Sequence, residues 1–275
     1  MTMSEQTLPS EPVFLLRQGG SPLVVSMPHT GTCLPPWLVP RLRPEALALP
    51  DTDWHLDILY DFLETLDATV LVATHSRYVI DLNRPPDNAS LYPGKSTTNL
   101  CPLDGFDGAP LYKADAAPDL DEIAERLEAY WCPYHDQLKA VLQRVKAQHG
   151  YALLWDAHSI RGRVPRFFDG ELPDFNIGTA DGQSCNALLV ERLTEVLQRQ
   201  DRYSWVVNQR FKGGYITRHY GNPIEGVHAV QMEMSMNTYM SRTRADQIDP
   251  ASAQQVKGVL RAMLESMLEW RPGMT

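Results

Sequence analysis

YALLWDAHS, residues 151–159, is the stretch whose reading decides the fold. A run of apolar and aromatic residues leads into Asp156, Ala157, His158 and Ser159, the pattern of a buried strand with a histidine where it emerges. Ligands of open α/β sheets bind just beyond the carboxyl ends of strands. Two more segments have the same form. PLVVSM (22–27) runs into Pro28, His29, Thr30 and Gly31, and VHAVQME (227–233) ends on Glu233. Two histidines and a glutamate at three strand exits describe a candidate metal-hydrolase centre.

Outward from this strand, Gly150 suits the residue that closes a helix, and residues 120–149 read as that helix, kinked near Pro133. Residues 85–118 are rich in Pro, Gly, Asp, Asn, Ser and Thr without periodicity, and loops of such length often carry function. YVIDL (78–82) is a further β-type run, and TVLVA (69–73) a strand. Residues 51–66 read as a helix with Leu56, Leu59, Phe62, Leu63 and Leu66 on one face, Asp51 or Thr52 at its N-cap and Asp53 in its first turn. With strand 22–27 it forms a β-α-β unit, which predicts parallel pairing. Strand 13–17 is joined to strand 22–27 by a hairpin turn at Gly19-Gly20.

Beyond residue 159 the chain reads as a basic loop, a helix (184–200), a strand (203–207), a Gly- and Tyr-rich loop (211–223), a strand (227–234) and a closing amphipathic helix (251–270). Alternating strands and helices give an α/β fold, a three-layer α/β/α sandwich around a mixed sheet. Residues 1–11 read as a loose start and 12–275 as one domain.

A net charge of −9 argues against nucleic-acid or anionic-membrane binding, which demands clustered Lys and Arg. No apolar run is long enough to span a bilayer, and the polar start lacks a secretory signal. Cys33, Cys101, Cys132 and Cys185 lack C-x-x-C spacing and read as reduced thiols of a cytoplasmic protein, Cys33 as a buried structural one. Motifs of serine hydrolases, P-loops and helix-borne H-E-x-x-H zinc sites are missing.

Catalytic zinc is held by three protein ligands, drawn from His nitrogens and carboxylate oxygens. His29 and His158 are the leading candidates, with Asp53 as the third; Asp51 and His55 stay open in its place. Asp156 stands two residues before His158, where it can orient that imidazole by a hydrogen bond. Glu233 is costly inside a buried strand unless paired or functional, and reads as a general base. The bland alternatives are satisfied polar histidines, a helix-start Asp53 and a salt-bridged edge Glu233. Arg84 can fork onto a substrate carboxylate, with Asn83 adding an amide. Arg77, Arg161, Arg163, Arg166, Lys212 and Arg218 are further cations in loops, and such a cluster in an acidic protein suggests an anionic substrate.

SMPHTGT (26–32), DTDWHLDILY (51–60), YVIDLNRPPDN (78–88), LLWDAHS (153–159), FKGGYITRHYG (211–221) and VQMEMS (230–235) together resemble the N-formylglutamate deformylase (amidohydrolase) family. The resemblance implies a zinc carboxypeptidase-like sandwich and hydrolysis of N-formyl-L-glutamate to formate and L-glutamate, the closing step of one route of histidine degradation. Relatives in the wider fold often carry H-x-x-E, whereas His29 is followed by Thr30, Gly31 and Thr32, so the carboxylate ligand comes from elsewhere. By the same analogy Asn83 and Arg84 match the pair that holds the substrate α-carboxylate. The expected arrangement is one Zn (Co, Mn or Fe suit the same donors) on His29, Asp53 and His158. Glu233 then acts as base, and one or more of Arg77, Arg161, Arg166, Lys212 and Arg218 meets the side-chain carboxylate of a small dicarboxylate substrate. Deacylation of another N-acyl acidic amino acid, peptide cleavage and a non-catalytic acidic-metabolite-binding module are the rivals. A homo-oligomer is left open.

Overall fold

Strand β4 (Ala152–Ile160) is buried along its whole length. It pairs in parallel with β2 (Leu23–Met27) on one side and β7 (Val227–Ser235) on the other. The structure, a computed structural model, describes residues 8, 9, 11–241, 244 and 247–274. The expected loose start at 1–11 lies outside the described residues except for 8, 9 and 11. The sheet is mixed and seven-stranded, in the order β1-β3-β2-β4-β7-β5-β6, with β1 (Phe14–Arg17), β3 (Thr69–Ala73), β5 (Phe175–Gly178) and β6 (Trp205–Val207) completing it. β3, β2, β4 and β7 run parallel, whereas β1 opposes β3 and β5 opposes β7. The central strands are covered on both faces, which explains their near-continuous apolar composition.

Strand alternation sorts the layers. Leu23, Val25, Met27, Leu153, Trp155, Ala157, Val230, Met232 and Met234 face α1 (Leu56–Leu59), α4 (Ala187–Gln198) and α6 (Pro250–Glu269). Val24, Ala152, Leu154 and Ala229 face α3 (Cys132–His149), α5 (Tyr215–Tyr220) and the long loops. Asp156, His158, Gln231 and Glu233 fall in step with the second set, so the polar residues of β4 and β7 share the α3/α5 face. Among the described residues no helix is long and apolar enough to cross a membrane.

Several elements differ from the sequence expectation. Gly19-Gly20 makes no hairpin, because β3 lies between β1 and β2. Instead the chain passes tightly against the Asp67 turn, where a Cβ on Gly19 would lie 2.1 Å from the Asp67 carbonyl oxygen. The helix expected at 51–66 shrinks to α1 and a 3₁₀ turn, Asp61–Glu64. His55 is left-handed (φ 60°) at its start, and the Asp53 N–H donates to the His29 carbonyl (3.0 Å) rather than joining a helix. The β-type run 78–82 is not a strand. Its neighbourhood is satisfied by side chains: fully buried Arg126 donates to the Val79 carbonyl (2.9 Å), His135 Nε2 to that of Leu82 (2.8 Å) and Trp131 Nε1 to that of Arg84 (3.1 Å). Burial depresses His135 to about 3, so this imidazole stays neutral and keeps its donor.

The expected kink at Pro133 is a π-turn, Leu127–Trp131, between α2 (Leu120–Arg126) and α3. Proline cannot donate to the preceding turn, and the wider coil accommodates its ring. β5 and α5 both lie in stretches read as loops. Cys33 is exposed rather than buried.

Candidate functional site

His29 leaves the end of β2 and His158 stands near the end of β4, so both meet at the carboxyl edge of the sheet. Their Nδ1 atoms face each other at 3.1 Å. Asp53 Oδ2 lies 3.1 Å from His158 Nδ1 and 3.7 Å from His29 Nδ1. Each remaining ring nitrogen meets a fully buried carboxylate: His29 Nε2 meets Asp81 Oδ1 at 2.7 Å, and His158 Nε2 meets Asp156 Oδ1 at 3.1 Å. At His29 the Asp81 carboxylate draws the ring proton to Nε2 and turns the Nδ1 lone pair inward, whereas His158 Nε2 also faces Asn83 Nδ2 at 2.9 Å. The His29 Nδ1 lone pair and the Asp53 carboxylate converge on His158 Nδ1, so the space between the rings favours a positive charge.

The surrounding charges agree. Asp53, Asp81, Asp156 and Glu233 are buried carboxylates, and Arg77 is the buried arginine beside them, 3.3 Å from Asp53 Oδ1 and 4.0 Å from Asp81 Oδ2. Burial opposes charge on Asp53, but Arg77, His158 and His29 hold it below the usual carboxylate range. Burial likewise opposes a charged His158, yet Asp156 and Asp53 keep it well above the ordinary histidine value. The cluster therefore favours a cation at its centre, and its donor set of two imidazoles and a carboxylate fits a divalent metal.

Of the three residues open for the third position, Asp53 is the one that joins the histidines. Asp51 instead accepts from Tyr78 Oη (2.8 Å), the Phe106 N–H (2.9 Å) and Arg161 (3.1 Å). His55, at the left-handed start of α1, lies outside the cluster.

Glu233 sits directly opposite His158 in the β4–β7 register, on the same face of the sheet. Burial pushes its carboxyl up to about 8, with Asp53 and Asp156 adding to the push against His158 and Arg77. It lines a cavity together with His29, Asp53, Asn83, His158 and Gln231. A buried carboxyl beside a metal-type donor set is placed to exchange a proton with water.

Asn83 sits at the cavity wall, but much of its amide is engaged inward. Its Oδ1 accepts from the Ile216 N–H at the start of α5 (2.8 Å), and its Nδ2 donates to Asp156 Oδ2 (3.2 Å). Arg84, Arg77 and Arg210 are the cations lining the cavity. Four expected substrate cations are held away from the lining by other partners. Arg161 pairs with Asp51, Arg166 donates to the Gly105 carbonyl (2.6 Å), Lys212 pairs with Asp181 (2.9 Å), and Arg218 donates to the Gly213 carbonyl (2.8 Å). Arg163 is exposed, 3.9 Å from Glu171.

The sequence model of the N-formylglutamate amidohydrolase family matches residues 21–240. This chain belongs to that family. As a member of the N-formylglutamate amidohydrolase family it is 49% identical over 258 residues to an N-formylglutamate deformylase of Pseudomonas putida, covering 94% of this chain and 96% of the relative. A Pseudomonas aeruginosa protein of the same name is 50% identical over 258 residues, covering 94% and 97%. Among solved structures, N-formylglutamate amidohydrolase from Ralstonia eutropha JMP134 superposes with a TM-score of 0.79 at 26% identity, covering 95% of this chain and 99% of that one.

Two residues at this cavity and donor cluster escaped the sequence reading. Asp81 carried a legible signal, a lone acid inside the apolar run YVIDL, which the strand assignment concealed. Arg210 carried none, because it stands in an irregular loop and reaches the cavity only through the fold.

Proposed function

We propose that this chain hydrolyses N-formyl-L-glutamate to formate and L-glutamate, a late step of histidine degradation in the cytoplasm, with one divalent metal held by His29 Nδ1, His158 Nδ1 and Asp53 Oδ2. The observation that carries the reading is the Glu233 carboxyl, buried directly opposite His158 beside the converging histidines in a chain half identical to N-formylglutamate deformylases. A metal bound there supplies a Lewis acid and a more acidic water, and zinc suits these donors best, with Co, Mn or Fe as substitutes.

Glu233 takes a proton from the attacking water as the oxygen–carbon bond to the formyl group forms. It then delivers that proton to the amide nitrogen as the carbon–nitrogen bond breaks, releasing formate and the free amine. Asp81 and Asp156 hold the two imidazoles in register, and Arg77 steadies Asp53. Arg84 binds the substrate α-carboxylate, with Asn83 beside it at the cavity wall, and places the formyl group beside Glu233.

The test is elemental analysis of the purified protein together with formate release from N-formyl-L-glutamate before and after chelation. About one zinc per chain, with activity lost on chelation and restored by metal, is expected. Glu233→Gln should keep the metal and lose kcat by about 10³-fold, within the range for a general base. Formate release indifferent to chelation, or near-normal kcat in that variant, would sink the mechanism.

A further inference from the structure

Arg210 lies in the loop between β6 and α5. Its neighbour Asn208 is left-handed (φ 51°) and is pinned to the end of β5: its Oδ1 accepts from the Thr179 N–H (2.8 Å) and its Nδ2 donates to Thr179 Oγ1 (2.7 Å). That anchored turn brings Arg210 back to the cavity wall, where its Nε donates to the Phe167 carbonyl. The guanidinium lies near three aromatic rings, with centroids at 5.2 Å (Phe211), 5.6 Å (Tyr92) and 5.7 Å (Phe167).

Among the described residues, neither Arg210 nor Arg84 has a carboxylate within ion-pair distance. Arg84 donates to the Thr98 carbonyl (3.2 Å) and hydroxyl (3.0 Å), and Arg210 otherwise reaches only the Ser96 carbonyl (3.4 Å). The other cation of the lining, Arg77, is engaged by Asp53 and Asp81. Burial lowers Arg210 below the ordinary arginine value, and the positive charge of Arg84 works in the same direction. Two guanidiniums that oppose each other, half-shielded from water and short of counter-ions, match a ligand with two separate negative charges.

We propose that Arg210 reads the side-chain carboxylate of the substrate while Arg84 holds the α-carboxylate. This rests on the N-formyl-dicarboxylate reading and says how that substrate is told from neutral N-formyl amino acids. The allocation follows from attachment. Arg84 adjoins Asn83, which lines the cavity beside His158 and Glu233, and the α-carboxylate is one carbon from the nitrogen whose bond is cut. Arg210 comes from a separate loop behind Tyr92 and Phe167, suited to the carboxylate at the far end of the side chain.

The test compares kcat/KM of the wild type, Arg210→Met, Arg210→Lys and Arg84→Met on three compounds. These are N-formyl-L-glutamate, N-formyl-L-glutamine and the α-amide of N-formyl-L-glutamate. Arg210→Met should lose roughly 10- to 100-fold, the range for a hydrogen bond to a charged group, on N-formyl-L-glutamate and on the α-amide. The loss should appear chiefly in KM, and the effect on N-formyl-L-glutamine should be far smaller. Arg210→Lys should recover part of the loss, and Arg84→Met should show the mirror pattern, sparing the α-amide most. Equal losses on N-formyl-L-glutamate and N-formyl-L-glutamine in Arg210→Met would overturn the assignment while leaving the function intact. Loss of side-chain discrimination in Arg84→Met instead would do the same. A wild type that releases no formate from N-formyl-L-glutamate overturns the function, and this assignment with it.

Discussion

His29 and His158 illustrate how a catalytic-type site is set by atoms rather than residue types. Each turns Nδ1 toward the other, with Asp81 hydrogen-bonded to His29 Nε2 and both Asp156 and Asn83 beside His158 Nε2. Asp81→Asn removes the charge that holds the His29 proton at Nε2, and its amide can present a donor where an acceptor is needed. Metal affinity should fall by about 10- to 100-fold, measured by competition with a chelator; an unchanged dissociation constant would show that Asp81 does not support His29. His29, His158 and Glu233 were legible in the sequence because each ends or interrupts an apolar strand run. Asp53 could not be separated there from Asp51 and His55, since local spacing does not say which side chain turns toward the histidines. In the fold Asp53, tied by its N–H to the His29 carbonyl, is the one whose carboxylate lies with the two histidines.

The short helix α5 does more for the site than its length suggests. The backbone at its start engages the site, with Gly214 N–H donating to Gln231 Oε1 (2.7 Å) and Ile216 N–H to Asn83 Oδ1 (2.8 Å). A Cβ on Gly214 would stand 2.4 Å from Asn83 Nδ2. Gly214→Ala should therefore displace Asn83 from Asp156 and lower kcat/KM by about 10²-fold, the cost of misplacing a positioned group by about an ångström. Steady-state kinetics alongside a melting curve check this, and full activity in a folded variant would refute it. The sequence read α5 as a Gly- and Tyr-rich loop because two glycines precede it and it is too short for periodicity to show. The opposite error befell residues 51–66, whose apolar spacing was real. Leu56, Leu59, Phe62 and Leu63 are buried as expected, although tertiary contacts broke the helix around them.

Across the whole molecule, the parallel centre of the sheet collects four buried carboxylates at one edge with Arg77 as the buried arginine beside them. Such a concentration of charge burdens the folded state until a cation joins it. Ligand linkage then predicts that metal raises stability, by about 2.7 kcal/mol at a free concentration of 100 times the dissociation constant. Thermal unfolding with chelator and with added zinc measures this, and identical melting temperatures would count against a folded-state metal site. By itself the sequence determined the layered α/β plan and the central strands, and pointed to His29, His158, Asp156 and Glu233, because burial periodicity and strand ends are local properties of the chain. The pairing of β1 with β3, the choice of Asp53, the support from Asp81 and the arrival of Arg210 were decided only in the tertiary structure. Each depends on groups distant in sequence meeting in one place, where desolvation and hydrogen bonding across the sheet edge outweigh local preference.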